Sequence, residues 1–288
     1  MSPGRAGDRP PSAEPGPARG IIDRGATPSG TLAHARFAPS AALASLLTHF
    51  WSVRWELRAP WTAETLPHPA IHLVFEASRA RIVGVMRARF TRVLEGRGWV
   101  FGIKLRAGGL ARIAKIVAGD LADAEHPIDL LGSAWTAVAE RIAASEDEGA
   151  RIAIAEEALA ASIRSPDPLA AEAAEIVDTI LSDHTIARVA DLVARTGRGP
   201  RDLQRLFHRY VGASPKWVIQ RERLHEALAR IEAGPVDWTG LALDLGYFDH
   251  AHFIHDFRAL IGVSPAAYAR ARGPAGIKRS GRARRPAR

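Results

Sequence analysis

Residues 246–257 read GYFDHAHFIHDF, with His250, His252 and His255 inside six positions and Asp249 and Asp256 around them. Imidazoles and carboxylates this close suggest either a metal centre or a surface that hydrogen-bonds a partner. On a helix, at ~100° per residue, His250 and His255 stand about 140° apart and do not share an ion. His252 and His255 lie one turn apart, but the next candidate ligand, Asp256, points elsewhere. A hydrogen-bonding helix face is therefore favoured over a metal, with plain solvated histidines as the bland alternative.

A second group, His68, His72 and Glu76, is spaced by four. Even spacing puts all three on one face of a strand. Four residues span ~13 Å of strand, too far for one ion, and Pro67 and Pro69 break the regularity. His72 and Glu76 read instead as edge or pocket polars. Trp51, Trp55, Trp61 and Trp99 either line an apolar cavity or fill a core. Trp51, Trp55, His72 and Glu76 together form the candidate ligand pocket. The chain has no cysteine, which removes disulfides, thiolate metal sites and cysteine nucleophiles. No Gly-rich phosphate loop or serine nucleophile elbow is present. No catalytic set, metal or cofactor is expected, and the chain does not read as an enzyme.

These groups need elements to hold them. Residues 1–30 contain twelve Gly or Pro residues and read as a disordered tail. Residues 273–288, GPAGIKRSGRARRPAR, read as a basic disordered tail that either follows phosphates or only aids solubility. A β-rich domain is expected over 31–125, with a short helix near 40–47. FWSVRWEL alternates Val53, Trp55 and Leu57 with polar residues, and AIHLVFEA and ARIVGVM are compact strand-like runs. FTRVLEGRGWVFGIKL (90–105) reads as a hairpin turning at Glu95–Gly98. An Ala-rich helical connector follows over 126–182, with helices near 129–144, 147–163 and 168–182, after one near 109–117.

The last ninety residues repeat themselves. LQRLFHRYVGASPKWV (203–218) aligns with FIHDFRALIGVSPAAY (253–268) at an offset of 50. Leu203 meets Phe253, Phe207 meets Phe257, Gly212 meets Gly262, and Ser214-Pro215 meets Ser264-Pro265. Each copy carries an apolar i, i+4 pair, a glycine that stops the helix, and Ser-Pro to cap and start the next. A short amphipathic helix precedes each copy: Ile186, Val189, Leu192 and Val193 in the first, Trp238, Leu241, Ala242 and Leu245 in the second. Gly197 and Gly246 end them. Short helix, tight turn and second helix make a helix-turn-helix, present twice and joined by a long helix over 214–233. The expected fold is α+β with two domains: a small β-rich N-terminal domain, a helical connector, and an all-α C-terminal domain (183–272) with two helix-turn-helix motifs.

Charge agrees with a polyanion partner. Lys and Arg number 13 against 10 Asp and Glu in 183–272, 6 against 0 in 273–288, and 20 against 21 in 1–182. The basic excess lies wholly at the C-terminal end.

The strings DLQRLFHRYVGASPKWVIQRERLHEAL and LALDLGYFDHAHFIHDFRALIGVSPAAYAR resemble the AraC/XylS family of bacterial transcription regulators over about 184–272. FWSVRWEL, LPHPAIHLVFE and FGIKLRAGG are similar to a poorly characterised β-rich domain often fused to such regulators. The resemblance implies two second helices in successive major grooves about one DNA turn (~34 Å) apart. It assigns base edges to Arg201, Gln204 and Arg205 in the first unit, and to His250, Ala251, His252, Ile254 and His255 in the second. The chemistry suits them: Arg reads guanine and Gln reads adenine bidentately. Arg209, Lys216 and Arg258 suit phosphates, and Arg223 suits either a phosphate or a nearby carboxylate. Gly199 stands where the family usually has a serine cap, and His255 where arginine is commoner, which weakens the expected guanine contact or makes it dependent on pH.

The expected protein is a cytoplasmic, nucleoid-associated, sequence-specific regulator of transcription. Its expected partner is a double-stranded DNA operator; RNA polymerase, a small-molecule effector and a second copy in a homodimer are the further candidates. No apolar run approaches the ~20 residues of a membrane span, and no membrane partner is expected. The competing expectations are a non-specific architectural DNA-binding protein and an enzyme carrying a DNA-binding domain.

Overall fold

The computed structural model describes residues 21–22 and 29–272. The tail expected over 273–288 lies outside the described residues, as does most of that expected over 1–30. The described residues form nine strands: β1 (Ile21–Ile22), β2 (Gly30–Phe37), β3 (Leu47–Leu57), β4 (Trp61–Thr65), β5 (His72–Phe75), β6 (Ala80–Val83), β7 (Phe90–Leu94), β8 (Arg97–Leu105) and β9 (Glu125–Pro127). They form one sheet in the order β2-β3-β8-β5-β6-β9 and a smaller one in the order β1-β4-β7. β1 falls inside the expected N-terminal tail, yet it pairs Ile21 with Thr65 and Ile22 with Glu64. The expected short helix near 40–47 is a single 3₁₀ turn, Ala41–Leu43, because Leu47 already starts β3.

The alternation along β3 sorts its side chains onto two faces. Phe50 faces the helices and stacks on Phe101 with ring centroids 6.0 Å apart. Trp51, Val53 and Trp55 face the smaller sheet. Trp51 lies opposite Gly102 and Trp55 opposite Gly98 in the β3–β8 register. A Cβ on Gly98 would sit 2.3 Å from the Trp55 ring, and one on Gly102 2.1 Å from the Trp51 ring. The two glycines therefore let both indoles lie flat across β8.

The hairpin expected over 90–105 does not form. β7 pairs with β4, whereas β8 pairs with β3 and β5. Both edges of β8 are taken, so β7 crosses to the other sheet. The turn between them is held by β3: Trp55 Nε1 donates to the Glu95 carbonyl at 3.0 Å, and Leu57 N donates to the Gly96 carbonyl at 2.7 Å.

The described residues also form ten α-helices, of which α1 lies between β8 and β9. The first four are α1 (Gly109–Ile113), α2 (Ala134–Ala144), α3 (Glu148–Ser162) and α4 (Pro168–Ser182). Asp147 caps α3 through Ala150 N at 2.8 Å, and Asp167 caps α4 through Leu169 N at 3.0 Å. The last six are α5 (Val189–Thr196), α6 (Pro200–Tyr210), α7 (Pro215–Ala233), α8 (Trp238–Asp244), α9 (His250–Ile261) and α10 (Pro265–Arg272). The fold is α+β, a β-sheet domain followed by a helical C-terminal domain.

The helices over 126–182 are more than a connector. Phe50 and Phe101 of the sheet, Ala170 and Ala173 of α4, and Leu203, Phe207, Val218 and Ile219 of the C-terminal helices belong to one buried cluster. A second cluster holds Leu241, Phe253, Phe257 and Tyr268, and it also contains Leu66 from the loop after β4.

Candidate nucleic-acid interface

The two helix pairs, α5–α6 and α8–α9, are built alike. Gly197 and Gly246 take left-handed φ of 69° and 73° just past the first helix of each pair, a conformation glycine adopts without a Cβ clash. Each second helix has one buried stripe, Leu203, Leu206, Phe207 and Tyr210 in α6 and Phe253, Phe257 and Ile261 in α9. Asp249 caps α9 by accepting from His252 N at 2.8 Å. Gly199 caps α6 with no side-chain bond, and Pro200 starts it. Asp237 caps α8 through Thr239 N and Gly240 N, both at 3.1 Å. Ser214 starts α7 by accepting from Trp217 N at 3.2 Å.

Opposite these stripes lie the residues singled out in the sequence. Arg201, Gln204 and Arg205 are exposed on one face of α6. Arg205 is paired with Asp202 one turn back. At the same offset of 50, Ala251 and His255 are exposed on α9 and Ile254 is half-buried. His252 is exposed, 3.8 Å from Asp256, with its ring edge-on to Tyr247. His250 is half-buried against Phe253. Lys216 and Arg258 are exposed. Arg209 leans back on its neighbour instead, donating to Tyr210 Oη at 3.1 Å, while that hydroxyl donates to Asp167 at 2.9 Å. Arg223 lies over the Tyr247 ring at 3.7 Å.

The candidate pocket residues separate. A cavity of about 220 Å³ between the two sheets is lined by Trp51, Trp55 and His72. His72 Nδ1 accepts from Trp51 Nε1 at 3.1 Å. Since an indole N–H only donates, the ring is neutral with its proton on Nε2. Burial holds the His72 pKa down at about 3, and Lys104 and His49 push the same way. Glu76 is outside the lining. It accepts two bonds from Arg92, both at 2.8 Å, and one from Arg81 at 2.5 Å. Burial alone would raise the Glu76 pKa, but these guanidinium bonds hold it below its ordinary value. Its partners Arg81 and Arg92 do line the cavity. Trp99 lies on the helical side, under the Arg151 guanidinium at 3.5 Å. Glu76 is thus held apart from His68 and His72, which both line the apolar cavity, and among the described residues no group of three His, Asp or Glu is placed to hold a metal.

A second cavity of about 390 Å³ lies where α7 meets the larger sheet and α4, and sequence reasoning missed it. Arg36, Lys104, Arg106 and Arg221 line it with His49, His68 and His225, against the acids Asp178 and Glu222. Arg106 pairs with Asp178. Arg221 is 4 % exposed, bonds the Pro67 carbonyl, and donates to His68 Nδ1 at 2.8 Å. His68 is therefore neutral, and burial followed by Arg221 and Lys104 pushes its pKa well down. Burial also lowers Lys104 to about 7, helped by Arg221 and Arg36. These cations come from β2, from β8 and the residue just after it, and from α7, far apart in sequence, so no spacing pattern announces them. His68 and Ala70 line both cavities.

Residues 192–271 match the family model of a helix-turn-helix domain, and residues 35–127 match a domain of unknown function, DUF6597. The XylDLEGF operon transcriptional activator 3 of Pseudomonas putida is 30% identical over 94 residues, which is 32% of this chain and 28% of that protein. The chain thus spans under a third of the length of the curated relative it matches. Among solved structures, the apo form of a ToxT variant from Vibrio cholerae is 13% identical with a TM-score of 0.40, covering 78% of this chain and 98% of that one. Wild-type ToxT from Vibrio cholerae with a bound unsaturated fatty acid is 14% identical with a TM-score of 0.36, covering 84% and 92%.

Proposed function

We propose that this chain, which matches a helix-turn-helix domain over residues 192–271 and DUF6597 over residues 35–127, is an AraC/XylS-type regulator of transcription that binds specific double-stranded DNA through both helix-turn-helix units. The observation that carries this is the repeated pair of second helices. Each buries one stripe and turns a hydrogen-bonding face outward, and α7 fixes one relative to the other. Arg201, Gln204 and Arg205 read base edges from α6, and Ala251, His252 and His255 from α9, with His250 at its first turn. Lys216 and Arg258 hold phosphates and so set position more than sequence. Arg209 reaches a phosphate only by leaving the Tyr210 ring. Competition binding with the full chain tests the proposal. A preferred duplex should outcompete random duplex by at least a thousandfold, on the order of specific regulators, and both should weaken as salt rises. Equal competition by both would leave an architectural DNA-binding protein.

Control by a small molecule is the second part of the proposal. The apolar cavity and the cationic one are neighbours that share His68 and Ala70 in their walls, so the pair suits an effector with an apolar body and an anionic head that parts this wall on binding. A straight-chain carboxylate should raise the melting temperature of the full chain in a concentration-dependent way. The matching alcohol should not, and Lys104→Met should erase the difference. Equal shifts with acid and alcohol would contradict an anion-selective site.

A further inference from the structure

Phe248 is 85 % exposed, the most open of the large apolar side chains among the described residues. It directly precedes Asp249, the cap of α9. A residue in that place often folds back on the fourth helical residue as a hydrophobic staple. Here the fourth residue is Phe253, and its site is already filled. Phe253 is fully buried, and Tyr247 packs on it at 5.3 Å. The stretch from the left-handed glycine to the helix cap is one residue longer in the second unit, Gly246 to Asp249, than in the first, Gly197 to Gly199. Tyr247 takes the inward place and Phe248 is turned out.

The first unit treats its matching position in the opposite way. Counting back from the cap, Arg198 corresponds to Phe248, and Arg198 is bound to Glu172 of α4. That side chain is anchored to the body of the protein. Phe248 instead stands at the lip of a cleft of about 290 Å³ between the two units, lined also by Arg188, Lys216, Gln220, Arg223 and His252. The lining holds three permanent cations and no carboxylate. That charge suits a polyanion beside the phenyl ring better than a protein surface of mixed charge. The major groove of DNA offers one apolar group at its edge, the thymine C5-methyl.

We propose that Phe248 is a specificity-determining residue that packs on a thymine methyl at the border of the base pairs read by α9. This rests on the DNA-binding function proposed above. A contact with one methyl is worth about a fourfold change in affinity, the scale of one buried CH₂ group.

The test replaces thymine by deoxyuridine, one position at a time, in the duplex that the full chain prefers; this removes the C5-methyl and nothing else. Wild-type protein should lose about fourfold at one position within the α9 half of the site. Phe248→Ala should bind the thymine duplex about fourfold more weakly than wild type and show no difference between the two bases there. Phe248→Leu should restore part of the discrimination. If no position distinguishes thymine from deoxyuridine, or if the distinction persists in Phe248→Ala, the contact is refuted while specific binding stands. A protein partner on Phe248 would show as unchanged DNA affinity and base preference in Phe248→Ala, which also overturns the assignment. If wild type prefers no duplex at all, the DNA-reading function fails and this contact fails with it.

Discussion

Arg205 carries two demands at once. Its guanidinium pairs with Asp202 on the exposed face of α6, and the same group is the one suited to a guanine edge. An exposed pair of this kind is worth ~0–1 kcal/mol, less than a bidentate base contact, so DNA should draw the arginine away. Arg205→Ala should weaken binding to the preferred duplex by ~1–3 kcal/mol and relax the preference at one base pair. Uniform weakening on every sequence, measured by the same titration, would place Arg205 on a phosphate. A second residue-scale prediction concerns acid. His72 titrates at about 3 in the folded chain, well below its ordinary value of 6.5. Between those values the unfolded chain takes a proton that the folded chain refuses, so stability falls as pH drops below about 6.5. His72→Gln keeps an acceptor for Trp51 and removes that proton. Its melting temperature should fall less than the wild type's between pH 7 and 4.5; parallel curves would contradict the neutral buried imidazole. Much of this scale was legible in the sequence. The i, i+3, i+4 spacing of Arg201, Gln204 and Arg205 against the Leu203–Phe207 stripe fixes which side chains look outward. The cationic cavity was not legible, because Arg221 sits amid charged helix residues and only its docking on Pro67 and His68 buries it.

The elements of the C-terminal half were readable because their ends are written in residue chemistry. Asp237, Asp249 and Ser214 cap helices, and Gly197, Gly246 and Gly262 close them in left-handed backbone. Strand pairing obeys a different logic. The Glu95–Gly98 turn signal was present, but the partner of a strand depends on which edges remain open. β8 has β3 and β5 on its two sides, so β7 joins β4. Likewise, Trp51 and Trp55 promised either core or cavity. Only the register against Gly102 and Gly98 shows that they lie flat and line the space between the sheets.

At the scale of the whole molecule, the boundary expected at 182/183 separates sequence patterns but not packing. α6 is buried against α4 within the same cluster as the sheet, the Tyr210 hydroxyl donates to Asp167 at 2.9 Å, and Arg89 donates to the Ile261 carbonyl at 2.8 Å. The end of the long helix nearest the first unit docks through Arg221 on the loop after β4. Both helix-turn-helix units are therefore tied to the β-sheet domain, and DNA binding is best measured on the full chain. Selection of bound duplexes from a random library by the full chain tests the central claim most directly. Two shared half-sites should emerge, centred about one DNA turn, ~34–36 Å, apart. Recovery of DNA that binds at low salt but shares no motif would contradict a sequence-specific double reader.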